Sequence, residues 1–223
     1  MLTSDKRLTI LCGHYGTGKT NVAVNVALVM ARDGDAVTIA DLDIVNPYFR
    51  TLDSAPAFEQ AGIRMICSKF ANSNVDIPSL PPDLYAITDD TSRRVVIDVG
   101  GDDSGAMVLG RLAPAITAED SYAMWLVVNR YRPMTPDIPS TVEVMREIEV
   151  AAGLRFTGIV NNSNLGEETT PDTVLSSLDY AADLSAATGL PLVATTVDAR
   201  LYDALTEQVE NLYPLHLQHN KPF

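Results

Sequence analysis

Seven short runs of apolar residues, many of them β-branched, recur along the chain, and most are continuous, not alternating. They are Leu8–Cys12, Ala36–Ala40, Ile63–Cys67, Val95–Val99, Ala123–Val128, Thr157–Asn161 and Leu192–Thr195. A strand with one face in water alternates apolar and polar residues, whereas a run apolar throughout suits a strand covered on both faces, as in a parallel sheet. Helical patterns fill the intervals, at Thr20–Asp33, Ser54–Ala61, Ser104–Ala113, Ser140–Ala152, Thr173–Thr188 and Ala199–Asn211. Gly34, Gly153 and Gly189 stand where the first, fourth and fifth of these should stop, and Asp172 is placed to cap the fifth. The alternation predicts an α/β fold: a doubly wound, mostly parallel sheet with helices on both faces, a three-layer sandwich. The stretch Ala71–Asp90, with Pro78, Pro81 and Pro82, reads as a loop or small insertion. No repeat or low-complexity segment interrupts the pattern, and residues 1–223 read as one domain.

Composition narrows the partners. A chain 46% hydrophobic and 20% charged carries enough apolar material for a sizeable core. Its net charge of −13 repels polyanions, and the lysines are only Lys6, Lys19, Lys69 and Lys221. Neither a nucleic-acid partner nor an anionic membrane surface is expected. The apolar stretch Val22–Ala31 is broken by Asn25 and too short to cross a bilayer, and no export signal precedes it. Cys12 and Cys67 form no CxxC pair, which argues against structural zinc or a redox motif and for a reduced, cytoplasmic setting. Cys12, closing an apolar run, is expected to be a small buried residue.

The most specific motif is Gly13-His14-Tyr15-Gly16-Thr17-Gly18-Lys19-Thr20, a GxxxxGK[ST] pattern between the first strand and the first helix. Glycines let backbone N–H groups close on phosphates, and the helix N-terminus favours anions. In this pattern Lys19 reaches the β- and γ-phosphates of a nucleoside triphosphate, and Thr20 holds magnesium. A second feature is the apolar run Val95–Ile97 ending in Asp98, a Walker B pattern that places a carboxylate at the metal. Gly100 and Gly101 follow it; Asp102 and Asp103 could also cap the next helix.

With the acidic Asp41-Leu42-Asp43 at the end of the second strand, these motifs resemble the MinD/ParA/nitrogenase-iron-protein branch of P-loop NTPases. The resemblance runs from Leu8 to about Asn211. It implies ATP and Mg²⁺ as ligands, Asp41 in the metal shell, and Asp43 as the group that orients the attacking water, with Lys19 serving catalysis as well as binding. It also implies adenine contacts from Asn161 or Asn162, and base-flanking contacts from the loop at Val197 and Asp198. Asp43 could instead cap a turn, Asn161 and Asn162 could form a polar turn, and Asp198 could cap the following helix. The chain departs from the branch at His14, where these proteins often carry a second lysine that reaches a partner subunit's nucleotide.

Three function classes follow. One is a Mg-dependent ATPase that switches an unknown protein partner, with the homodimer formed on ATP that the resemblance implies. A second is a small-molecule kinase similar to dethiobiotin synthetase, which also lacks the second lysine; Arg130 and Arg132, after a strand on the ligand edge, are its candidate basic groups. A third binds nucleotide as a structural ligand only. Arg50, in Asn46-Pro47-Tyr48-Phe49-Arg50, is either a phosphate or partner contact or a surface ion pair.

Overall fold

The computed structural model describes residues 2–42, 54–67, 82–101 and 103–217. Asp43, Arg50 and Asp102 lie outside these described residues. Among the described residues, eight parallel strands form one sheet in the order β3-β2-β4-β1-β5-β6-β7-β8. In chain order the elements are β1 (Leu8–Cys12), α1 (Lys19–Arg32), β2 (Val37–Asp41), α2 (Ala55–Gln60), β3 (Arg64–Cys67), α3 (Pro82–Asp89), β4 (Arg94–Asp98) and α4 (Asp103–Glu119). There follow β5 (Tyr122–Val128), α5 (Ile138–Ala152), β6 (Gly158–Asn161), α6 (Pro171–Leu175), α7 (Leu178–Thr188), β7 (Leu192–Asp198), α8 (Tyr202–Leu205) and β8 (Leu212–Leu215).

The pleat sorts the apolar runs onto two faces. Leu8, Ile10 and Cys12 of β1 join Val95 and Ile97 of β4, and Met124 and Leu126 of β5, against α3, α4, α5 and α7. Leu11, Val96, Trp125 and Val127 point the other way, onto Val22, Val26 and Met30 of α1 and Phe58 of α2. Both faces are therefore dry, as continuous apolar strands require, and each buried aliphatic side chain is worth about 1.5–3 kcal/mol. The three-layer α/β architecture expected from the sequence is present.

Several elements differ from expectation. Pro82–Asp89, inside the stretch read as loop, is helix α3; Pro82 occupies its first turn, where a missing N–H costs nothing. The third expected helix, α4, runs on past Ala113 to Glu119, through Pro114. The fifth breaks at Ser176–Ser177 into α6 and α7, and its cap is Thr170, which exchanges hydrogen bonds with Thr173, not Asp172. The expected last helix shortens to a 3-10 turn plus α8, and the chain then forms the unexpected strand β8. Asn25 holds β8 to α1: its Oδ1 accepts from His216 N at 2.8 Å, and its Nδ2 donates to His216 O at 3.1 Å. Among the described residues no helix is long and apolar enough to cross a membrane.

Candidate functional site

The sheet places its loops by topology. β1 is central, with β4 on one side and β5 on the other, so the loops leaving all three emerge side by side at the carboxyl edge of the sheet. That edge is where open α/β sheets bind ligands. The loop after β1 turns through Gly13, Gly16 and Gly18, at φ 151°, 78° and 84°. Two of these positions have no room for a side chain: a methyl group at Gly13 would run into the Val127 carbonyl, and one at Gly18 into Asn162 Nδ2. Gly18 also caps α1 in the left-handed conformation, so the first turn of the helix opens straight from the loop.

The loop is tied internally. The His14 carbonyl accepts from Lys19 Nζ at 3.1 Å, from Thr17 Oγ1 at 3.0 Å and from Thr17 N at 3.3 Å. Lys19 is only 6% exposed, so its ammonium lies across the loop and not in bulk water. Tyr15 is 58% exposed on the rim. The loop after β4 packs onto this rim: a methyl group at Gly101 would come 2.5 Å from Tyr15 N.

Asp41 and Asp98 end neighbouring strands and are register partners, at 6% and 1% exposure. Asp98 is also in register with Leu11, one residue before Cys12. Burial pushes the Cys12 thiol far up; the Lys19 charge opposes that shift and the Asp98 charge adds to it. Both charges therefore act at the floor of the same loop. Thr20 opens the helix beside them, half-buried. A hydroxyl and two carboxylates form an oxygen donor set suited to a hard cation such as Mg²⁺. Among the described residues no three His, Cys, Asp or Glu side chains converge as a metal cage. A magnesium ion shared with phosphate oxygens takes only one or two carboxylates.

The asparagines after β6 are turned inward. Asn162 Nδ2 donates to the Thr17 carbonyl at 2.6 Å, while its Oδ1 accepts from Thr196 Oγ1 at 2.7 Å. It thus pins the Gly13–Thr20 loop from behind. Asn161, expected near a base, is fully buried; its Nδ2 donates to Ser177 Oγ at 2.9 Å and its Oδ1 accepts from Ser163 N at 3.2 Å. Val197 is buried in a small cluster with Val174, Leu205 and Val209. Asp198 takes the capping role: it accepts from Arg200 N at 3.0 Å and pairs with Arg200 Nε at 2.8 Å.

The two arginines after β5 part company. Arg130 donates to the Ser176 carbonyl and lies 5.9 Å from the Tyr180 ring and 5.8 Å from that of Tyr131. Arg132 lies over the loop: a methyl group at Gly16 would sit 3.4 Å from its Nε and 3.5 Å from its Cζ. Sequence reasoning named both residues without separating them.

The fold is a three-layer α/β sandwich with a glycine-rich loop between β1 and α1 at its carboxyl edge. No family model matches the sequence, and no curated protein matches it either. Among solved structures, the chain is similar to the cell division protein FtsY from Thermotoga maritima, with TM-score 0.54, 17% identity, and coverage of 85% of this chain and 61% of that one. It is also similar to a nucleotide-binding protein from Archaeoglobus fulgidus in complex with ADP, at TM-score 0.51 and 16% identity, over 88% and 85% of the two chains. A third likeness is to the signal recognition particle 54 kDa protein from Aeropyrum pernix K1 in complex with GDP, at TM-score 0.50 and 17% identity, over 84% and 40%. The chain spans about three fifths of the length of the FtsY chains it matches.

Proposed function

We propose that the protein binds ATP with magnesium at the Gly13–Thr20 loop, hydrolyses it slowly, and acts as a nucleotide-dependent switch on a protein partner, as MinD/ParA-like ATPases do. The observation that carries this reading is the convergence at one sheet edge of a buried lysine, an open glycine loop and two carboxylates in register on adjacent strands. Lys19 exchanges the His14 carbonyl for phosphate oxygens and neutralises their charge. Backbone N–H groups of the loop and the first turn of α1 hold the remaining phosphate oxygens. Thr20, Asp41 and Asp98 would hold Mg²⁺, which would supply positive charge to the phosphates. Asp43 is proposed to orient the attacking water. Asn162 fixes the loop so that little ordering is required on binding. The base is adenine in this reading, and ATP against GTP competition tests it directly.

Calorimetric titration with ATP and ADP, with and without magnesium, decides the central claim. The expected result is magnesium-dependent binding of ATP that Lys19→Ala abolishes while leaving the melting temperature unchanged. A wild-type protein that binds neither nucleotide overturns the reading. Dimerisation on ATP is a separate proposal, checked by light scattering with a non-hydrolysable analogue; a monomer throughout removes it. The alternative, a small-molecule kinase, draws support from Arg132 at the loop, where a cation could also hold an anionic co-substrate.

A further inference from the structure

We propose that Arg132 is a second phosphate-binding cation, supplied to the nucleotide by the same chain; this rests on the nucleotide-binding reading above. Gly16 stands within the phosphate loop, and the guanidinium lies against the space where its side chain would be, 3.4 Å from that point at Nε, 3.5 Å at Cζ and 3.6 Å at Cδ. Among the described residues Arg132 takes part in no ion pair. It is exposed at the rim, where a ligand seated in the loop would meet it. Its neighbour Arg130 is committed elsewhere, to the Ser176 carbonyl and two tyrosine rings.

The backbone that carries Arg132 is fixed by an unusual density of bonds. Asn129 is fully buried; its carbonyl accepts from Arg132 N at 3.0 Å, its Oδ1 from Tyr131 N at 3.0 Å, and its Nδ2 donates to the Asn164 carbonyl at 3.0 Å. Thr135 N closes the turn onto the Arg132 carbonyl at 3.2 Å, and Tyr131 Oη donates to the Thr173 carbonyl at 2.7 Å. A turn held at so many points presents its side chain from a defined place, which is what an oriented charge contact needs. The need for such a charge is plain: a polyphosphate enters a protein of net charge −13, and the loop holds a histidine at position 14 and a lysine only at position 19. A guanidinium fork can bond two phosphate oxygens at once.

The test compares wild type with Arg132→Ala and Lys19→Ala by titration with ATP and with ADP at several salt concentrations. Arg132→Ala is expected to melt like wild type, to lose about ten- to a hundredfold in ATP affinity, the range of one charge-assisted hydrogen bond, and to show a shallower fall of affinity with salt. Arg132→Lys is expected to recover part of the loss. If Arg132→Ala binds ATP and ADP within twofold of wild type, the proposal is overturned while the nucleotide reading stands. The same holds if affinity drops with an unaltered salt dependence, which would mark a structural role. If the wild type binds no nucleotide, both fall.

Discussion

At the scale of residues, the loop is held from two sides, and Asn162 is the anchor on the protein side. Its amide bridges the Thr17 carbonyl and the Thr196 hydroxyl, all buried. Asn162→Ala takes the side-chain donor from the Thr17 carbonyl and leaves the Thr196 hydroxyl only its longer bond to the Asn161 carbonyl, at a cost of about 1–3 kcal/mol. Urea unfolding is expected to show that loss, and ATP affinity is expected to fall with it because the loop must then be ordered on binding. An unchanged urea midpoint would remove Asn162 from this role. The glycine turn after β1 was legible in the sequence because it is local: spacing alone sets which residues share one turn. Asn162 and Arg132 were named only as candidates. What each touches depends on β5 lying beside β1 and β6 beside β5, which brings together residues more than a hundred positions apart.

At the scale of elements, the strands buried on both faces were read correctly because burial there writes itself into composition. The failures have other causes. β8 is an edge strand of four residues with Pro214 inside it, and proline demotes a strand in any local reading. α3 begins at Pro82, and proline, which marks turns elsewhere, serves the first turn of a helix here. α5 offers a test of capping. Asp137 accepts from Ser140 N at 2.9 Å, and its bonds with Ser140 hold its carboxyl below the usual carboxylate range. A carboxyl depressed in the folded state contributes stability above the unfolded pKa and loses it as pH falls through the folded one. Wild type is therefore expected to melt higher than Asp137→Ala near neutrality, with the gap closing as pH is lowered into the carboxylate range. A gap independent of pH would place the effect in something other than the charged cap.

At the scale of the whole molecule, the sheet divides the protein into two dry layers, and the chain's one tryptophan belongs to the layer under α1. Trp125 is 4% exposed, in register with Leu11. The indole is thus a built-in optical probe of one layer. Its emission is expected to be blue-shifted in the native protein and to move to the red only when the layer between α1 and the sheet opens. Acrylamide should quench it poorly until then. Adding ATP to the folded protein should leave its wavelength in place, since the proposed site lies at the loops of the carboxyl edge and this ring lies in the layer under α1. Circular dichroism reports the helices on both faces, so a denaturation curve followed both ways separates two events that a single probe would merge. Coincident curves would mean that the two layers melt as one. An emission change that precedes the loss of helix would mean that the α1 side opens first, carrying the Gly13–Thr20 loop with it.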